Sequence, residues 1–99
     1  MHKLPRTMLT LKKRTNTLCT LLRQAASEYQ LNKAAERVRD ARIRVLRAKI
    51  GEMPSVLLTA QQKRRIAKHS DQIESLLATT PMEILSEFRR TLPKAHEDS

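Results

Sequence analysis

Apolar residues recur along this chain at intervals of three and four, the period of helices, and nowhere alternate with polar ones over a β-branched run. The first such stretch begins near Thr7, just after Pro5. Met8, Leu11, Thr15, Leu18, Leu22, Ala25 and Tyr29 form its heptad seam, polar only at Thr15, and Leu9, Leu21 and Ala26 widen it. A second stretch, about Asn32 to Glu52, carries Leu31, Ala34, Val38, Ala41, Val45 and Ala48 on one strip. Ile43, Leu46 and Ile50 form another, and two strips on one helix suit a bundle of more than two helices. Gly51 and Pro54 end this stretch.

A break at Tyr29–Asn32, with Asn32 as a cap, folds the two stretches into a hairpin. The rival is one uninterrupted helix from Thr7 to Glu52, long for a globular domain. The hairpin is preferred because it lets the two seams bury each other. Thr59-Ala60-Gln61-Gln62 fits a capping box opening a third helix to about Ala78, with Ile66, Ser70, Ile73 and Leu77 on one face. Thr80, Pro81 and Glu83 mark the start of a fourth, which carries Ile84, Leu85, Phe88 and Leu92 and stops at Pro93. The expected fold is all-α: an antiparallel helical hairpin plus two shorter C-terminal helices, forming a four-helix bundle as a dimer. Residues 1–92 make one domain and 93–99 a frayed polar tail.

Composition sharpens this picture. The chain has 99 residues, 39% of them hydrophobic, but only Tyr29 and Phe88 are aromatic. A core made mostly of Leu, Ala and Ile is thin, and an oligomer that shares burial is the expected remedy. One glycine favours helix nearly throughout. Cys19 stands alone, so no internal disulfide can form, and its bland role is a buried thiol. No apolar run approaches the length of a membrane span. An intracellular, cytoplasmic protein is expected. The acid-free stretch over residues 1–27 keeps mitochondrial import open as an alternative.

Charge then points to a partner. The net charge is +10, and residues 1–69 hold seventeen Lys/Arg against four acids. A polyanion is the simplest relief for such self-repulsion. With so few aromatic platforms, a duplex backbone fits better than unstacked bases. In the second helix Lys33, Arg37, Arg44 and Arg47 fall near one face, Arg39 and Arg42 flank it, and Lys49 extends it. Lys33 to Lys49 spans roughly 24 Å of helix, enough to reach several phosphates. The plain alternative is a solvated face balanced by Glu36, Asp40 and Glu52, with Asp40 placed to hold Arg37 or Arg44. Lys63, Arg64, Arg65 and Lys68 open the third helix against its own dipole, which a bound anion would explain. Lys12, Lys13 and Arg14 make a further cluster. No catalytic or metal-binding spacing appears among His2, His69, His96 and Cys19, and there is no glycine-rich phosphate loop. No enzyme, cofactor or small-molecule substrate is expected.

Residues 41–47, Ala-Arg-Ile-Arg-Val-Leu-Arg, followed by Met53-Pro54-Ser55-Val56, resemble the core of the small RNA-silencing suppressors of insect nodaviruses. The resemblance covers residues 41–56 and requires a two-residue length change. It implies an all-helical homodimer that lies along double-stranded RNA and shields it from Dicer-like nucleases, with Arg42 and Arg47 on the RNA-facing helix. Tyr29 and Asp40 depart from the family's basic positions, and the 63–65 cluster has no counterpart. The expected function is therefore sequence-independent binding of duplex nucleic acid, RNA favoured over DNA, by a homodimer. The alternative is a helical adaptor that docks its seams on a protein partner. A membrane-binding basic surface is a third, less favoured reading.

Overall fold

The computed structural model describes residues 3–54 and 56–91. Four helices make up its regular structure: α1 (Lys3–Arg23), α2 (Glu28–Gly51), α3 (Ala60–Leu77) and α4 (Pro81–Thr91), with no strand among the described residues. The fold is all-α, and α1 and α2 do form a hairpin, with α3 and α4 both resting on α2. The molecule is elongated, 55 × 26 × 25 Å. Leu92, the stop expected at Pro93, and the polar tail lie outside the described residues.

The hairpin turns earlier than the sequence suggests. α1 ends in a Schellman motif: Ala26 N–H donates to Leu21 O at 3.1 Å and Ala25 N–H to Leu22 O at 3.3 Å. Ala25 takes the left-handed position, φ 52°, that glycine usually fills. Ser27 then caps α2 in a reciprocal box. Its hydroxyl accepts from Gln30 N–H at 3.3 Å, and Gln30 Oε1 accepts from Ser27 N–H at 3.3 Å. Asn32 therefore sits inside the helix and caps nothing. α1 also starts before Thr7. Pro5 is its third residue, within the first turn, where backbone N–H groups have no intrahelical partner to lose.

Burial shows which stripe of each helix matters. Leu18 of α1, Leu31, Ala34, Ala35 and Val38 of α2, and Ile84, Leu85 and Phe88 of α4 form one buried cluster. Each large aliphatic side chain fully buried there contributes about 1.5–3 kcal/mol. Leu11, Cys19, Leu21, Leu22 and Ala26 pack around it. Met8, Ala25 and Tyr29 drop out of the expected α1 seam. Met8 and Tyr29 are exposed, and Ala25 belongs to the turn. Leu4 and Thr7 take the inward positions that continue the stripe from Leu11. Leu9, expected to widen the seam, is exposed as well.

α3 and α4 contrast sharply. Thr59 and Gln62 form the expected capping box of α3, and Thr80 Oγ1 accepts from Glu83 N–H at 3.2 Å at the start of α4. Yet α3 has no fully buried residue, whereas α4 sinks Ile84, Leu85 and Phe88 into the core. On α3, Leu77 is exposed and Leu76 takes the inward position instead. Gly51 adopts a helical conformation in the last turn of α2, and Glu52 is the C-cap. The glycine is thus no left-handed stop; the chain leaves the helix at Glu52–Pro54.

Candidate nucleic-acid interface

Successive residues of a helix step round it by about 100°. On α2 this places Lys33, Arg37, Arg44 and Arg47 within an arc about 80° wide, on the side no other helix covers, and all four are exposed. Arg37, Arg44 and Arg47 form no hydrogen bond or ion pair among the described residues, and the Lys33 ammonium lies 5.8 Å from the Tyr29 ring centroid. Asp40 shares the arc but pairs with Arg39 at 3.3 Å, not with Arg37 or Arg44.

α1 supplies a second wall. Two adjoining grooves, of 460 and 190 Å³, run between the N-terminal half of α1 and the C-terminal half of α2. Thr7 and Arg44 line both. Lys3 and Arg47 line the larger, with Glu52 at its edge; Arg6 and Thr10 line the smaller. Four cations from two helices thus face a common channel. The threonine hydroxyls have already spent their protons, Thr7 on Leu4 O at 2.8 Å and Thr10 on Arg6 O at 3.1 Å. Their oxygens remain as acceptors.

Three of the sequence-predicted residues stand apart from this face. Arg39, Arg42 and Lys49 are rotated onto the sides of α2 that face the other helices, and all three are half-buried. Arg39 Nη1 donates to Thr79 O at 3.1 Å, fastening the α3–α4 turn to α2. Arg42 makes a two-pronged bond to Glu87 of α4, at 3.1 and 2.5 Å, and lies 5.6 Å from the Phe88 ring centroid. Arg42 hydrogen bonding holds the Glu87 carboxyl below its ordinary value of 4.5, against the opposing push of partial burial. The charges of Arg42 and Arg90 add to the lowering. Sequence spacing could not show this, because Glu87 and Thr79 lie 45 and 40 residues away along the chain.

The α3 cluster is exposed and faces a different cleft. Arg65, Lys68 and His69 line a 620 Å³ hollow together with Lys49, Leu4 and Met53. Lys63 and Arg64 point away from it into solvent. Lys12, Lys13 and Arg14 are exposed on α1. Lys3 and Arg6 line the channel but are not among the sequence-predicted residues; the acid-free N-terminal stretch is the one signal for them.

Among the described residues no group of His, Cys, Asp or Glu is placed to hold a metal ion, and no helix is long and apolar enough to cross a membrane. Cys19 is half-buried against the core cluster. Set against known proteins, the chain matches no family model, no curated protein and no solved structure.

Proposed function

We propose that this protein binds duplex nucleic acid through its phosphates, without reading sequence, and that RNA is preferred. One observation carries the reading: Arg37, Arg44 and Arg47 are exposed with no carboxylate partner among the described residues, and Arg44 and Arg47 face Lys3 and Arg6 across the α1–α2 channel, with Glu52 at its edge. Lys33 to Arg47 spans roughly 21 Å of helix. A duplex presents a negative charge about every 1.7 Å of its axis, so a dozen or so phosphates lie within that reach. Arginine's planar fork suits phosphate at two points. The preference for RNA rests on Thr7 and Thr10, whose oxygens accept but do not donate; a ribose 2′-hydroxyl supplies a donor and deoxyribose none. The resemblance of residues 41–56 to the nodavirus suppressors favours the same partner and a homodimer that shields RNA from nucleases. Of the two residues it implicates, Arg47 is free and Arg42 is occupied by Glu87.

Fluorescence anisotropy with unrelated duplexes tests this. With about four or five cations engaged, log affinity falls with log salt at a slope near −4, equally for every sequence. Gel filtration with duplex RNA shows a shifted, dimer-sized complex. Absence of duplex binding at low salt refutes the reading.

A second reading has its own observation. Leu11, Val45, Leu46 and Leu76 line an open cleft of 420 Å³ between α1 and α3. A helical adaptor would seat a partner's apolar stripe there. Binding that ignores nucleic acid and salt would favour it.

A further inference from the structure

Just before α3, residues 56 and 57 carry the most exposed large apolar side chain among the described residues. Leu57 is 96% exposed and Val56 is 70% exposed. Leu57 also holds φ at 55°, a left-handed conformation that a leucine rarely adopts. Nothing inside the molecule compensates, because the side chain touches so little of it. Strain together with full exposure marks a side chain presented outward.

The surroundings are cationic. α1 and α3 both begin at this end with no acid in their first turns, and α2 ends here at Glu52, so two positive helix-dipole ends outnumber one negative end. Lys63 and Arg64 follow within the first turns of α3. Met53, which follows α2, lines the hollow whose walls carry Lys49, Arg65 and Lys68 against the single acid Glu52. An exposed aliphatic tip near a hollow with three Lys/Arg and one acid matches a surface with anionic headgroups above an aliphatic interior. Base steps of a duplex also offer anions and an apolar gap, but an aliphatic wedge there must first unstack the bases.

We propose that this end docks on anionic phospholipid, with Leu57 and Val56 entering the headgroup–acyl boundary and Lys63, Arg64 and the hollow meeting lipid phosphates. Two modest signals are then joined, apolar insertion and a polybasic patch, as reversible membrane attachment requires. The sequence reading ranks a basic amphipathic surface for anionic membranes third; exposed Leu57 and Val56 add an apolar tip to it. The hollow adjoins the α1–α2 channel, with Glu52 lining both, but Leu57 and Val56 line neither, so their substitution tests membrane docking apart from duplex binding.

Flotation of the full chain with phosphatidylcholine vesicles, with and without phosphatidylserine, tests this. Wild type is expected to float only with phosphatidylserine. Leu57→Gly keeps the backbone conformation and removes the wedge, and should weaken flotation about tenfold or more. Leu57→Met should retain it, and circular dichroism should show both variants folded. Three results overturn the proposal: no flotation at low salt, equal flotation of wild type and Leu57→Gly, or a Leu57→Gly defect seen with duplex RNA and not with vesicles.

Discussion

The two ends of the α1–α2 hairpin are built on opposite principles. At the turn end, α4 packs on α2 and, with Leu18 of α1, forms the buried cluster found among the described residues. Residues 15–39 and 80–91, which form it, carry six Lys/Arg and four acids. At the open end, residues 3–14, 40–54 and 56–79 carry thirteen Lys/Arg and four acids, and α3 buries nothing fully. Between the two lie Arg39 and Arg42, whose guanidinium groups clamp α4 and its turn to α2. One end holds the fold together. The other buries Ala41, Ile43 and Val45 of α2 but no residue of α1 or α3 fully, and it carries most of the excess positive charge.

The largest effect should come from breaking the packed end. Phe88→Ala should cost about 3–5 kcal/mol, against roughly 1 kcal/mol for half-buried Ile66→Ala on α3, both read by thermal unfolding. Equal losses would erase the contrast. The mirror experiment is at the open end. Arg44→Ala with Arg47→Ala should lower duplex RNA affinity about tenfold or more and flatten the salt slope by about two, while stability moves by less than about 0.5 kcal/mol. Unchanged affinity would count decisively against the channel.

The clamp should behave like the packed end. Arg42→Ala should cost about 1 kcal/mol, since the pair is two-pronged but partly solvated, and should leave duplex affinity nearly unchanged. Glu87 links that stability to pH. Its folded value lies below 4.5, so the unfolded chain binds the proton more tightly. The contribution is therefore present above about pH 4.5 and lost as pH falls through the folded value. Glu87→Gln should remove that share of the acid sensitivity in pH-dependent melts. The smallest effect is a gain: Ala25→Gly, at φ 52°, should stabilise the hairpin by about 0.5 kcal/mol.

Local signals made much of the fold legible. Thr59, Thr80 and Pro81 announce their helices because caps act within four residues. The hairpin turn was displaced because Ala25 stands where glycine usually signals the bend, and because Ser27–Gln30 is a quieter start than the Asn32 that drew attention. The outer stripe of α2 was legible from spacing, so Lys33, Arg37, Arg44 and Arg47 were found together. Arg39, Arg42 and Lys49 were grouped with them because charge has no address in a sequence; only the packing of α3 and α4 shows which sides of α2 are covered. Leu57 carried no sequence signal, since its oddity is a backbone angle.

A helix with no anchor in the interior can come away while the rest survives. Amide protons of α3 should therefore trade with heavy water through excursions of that segment alone, well before those of α2 beside Val38.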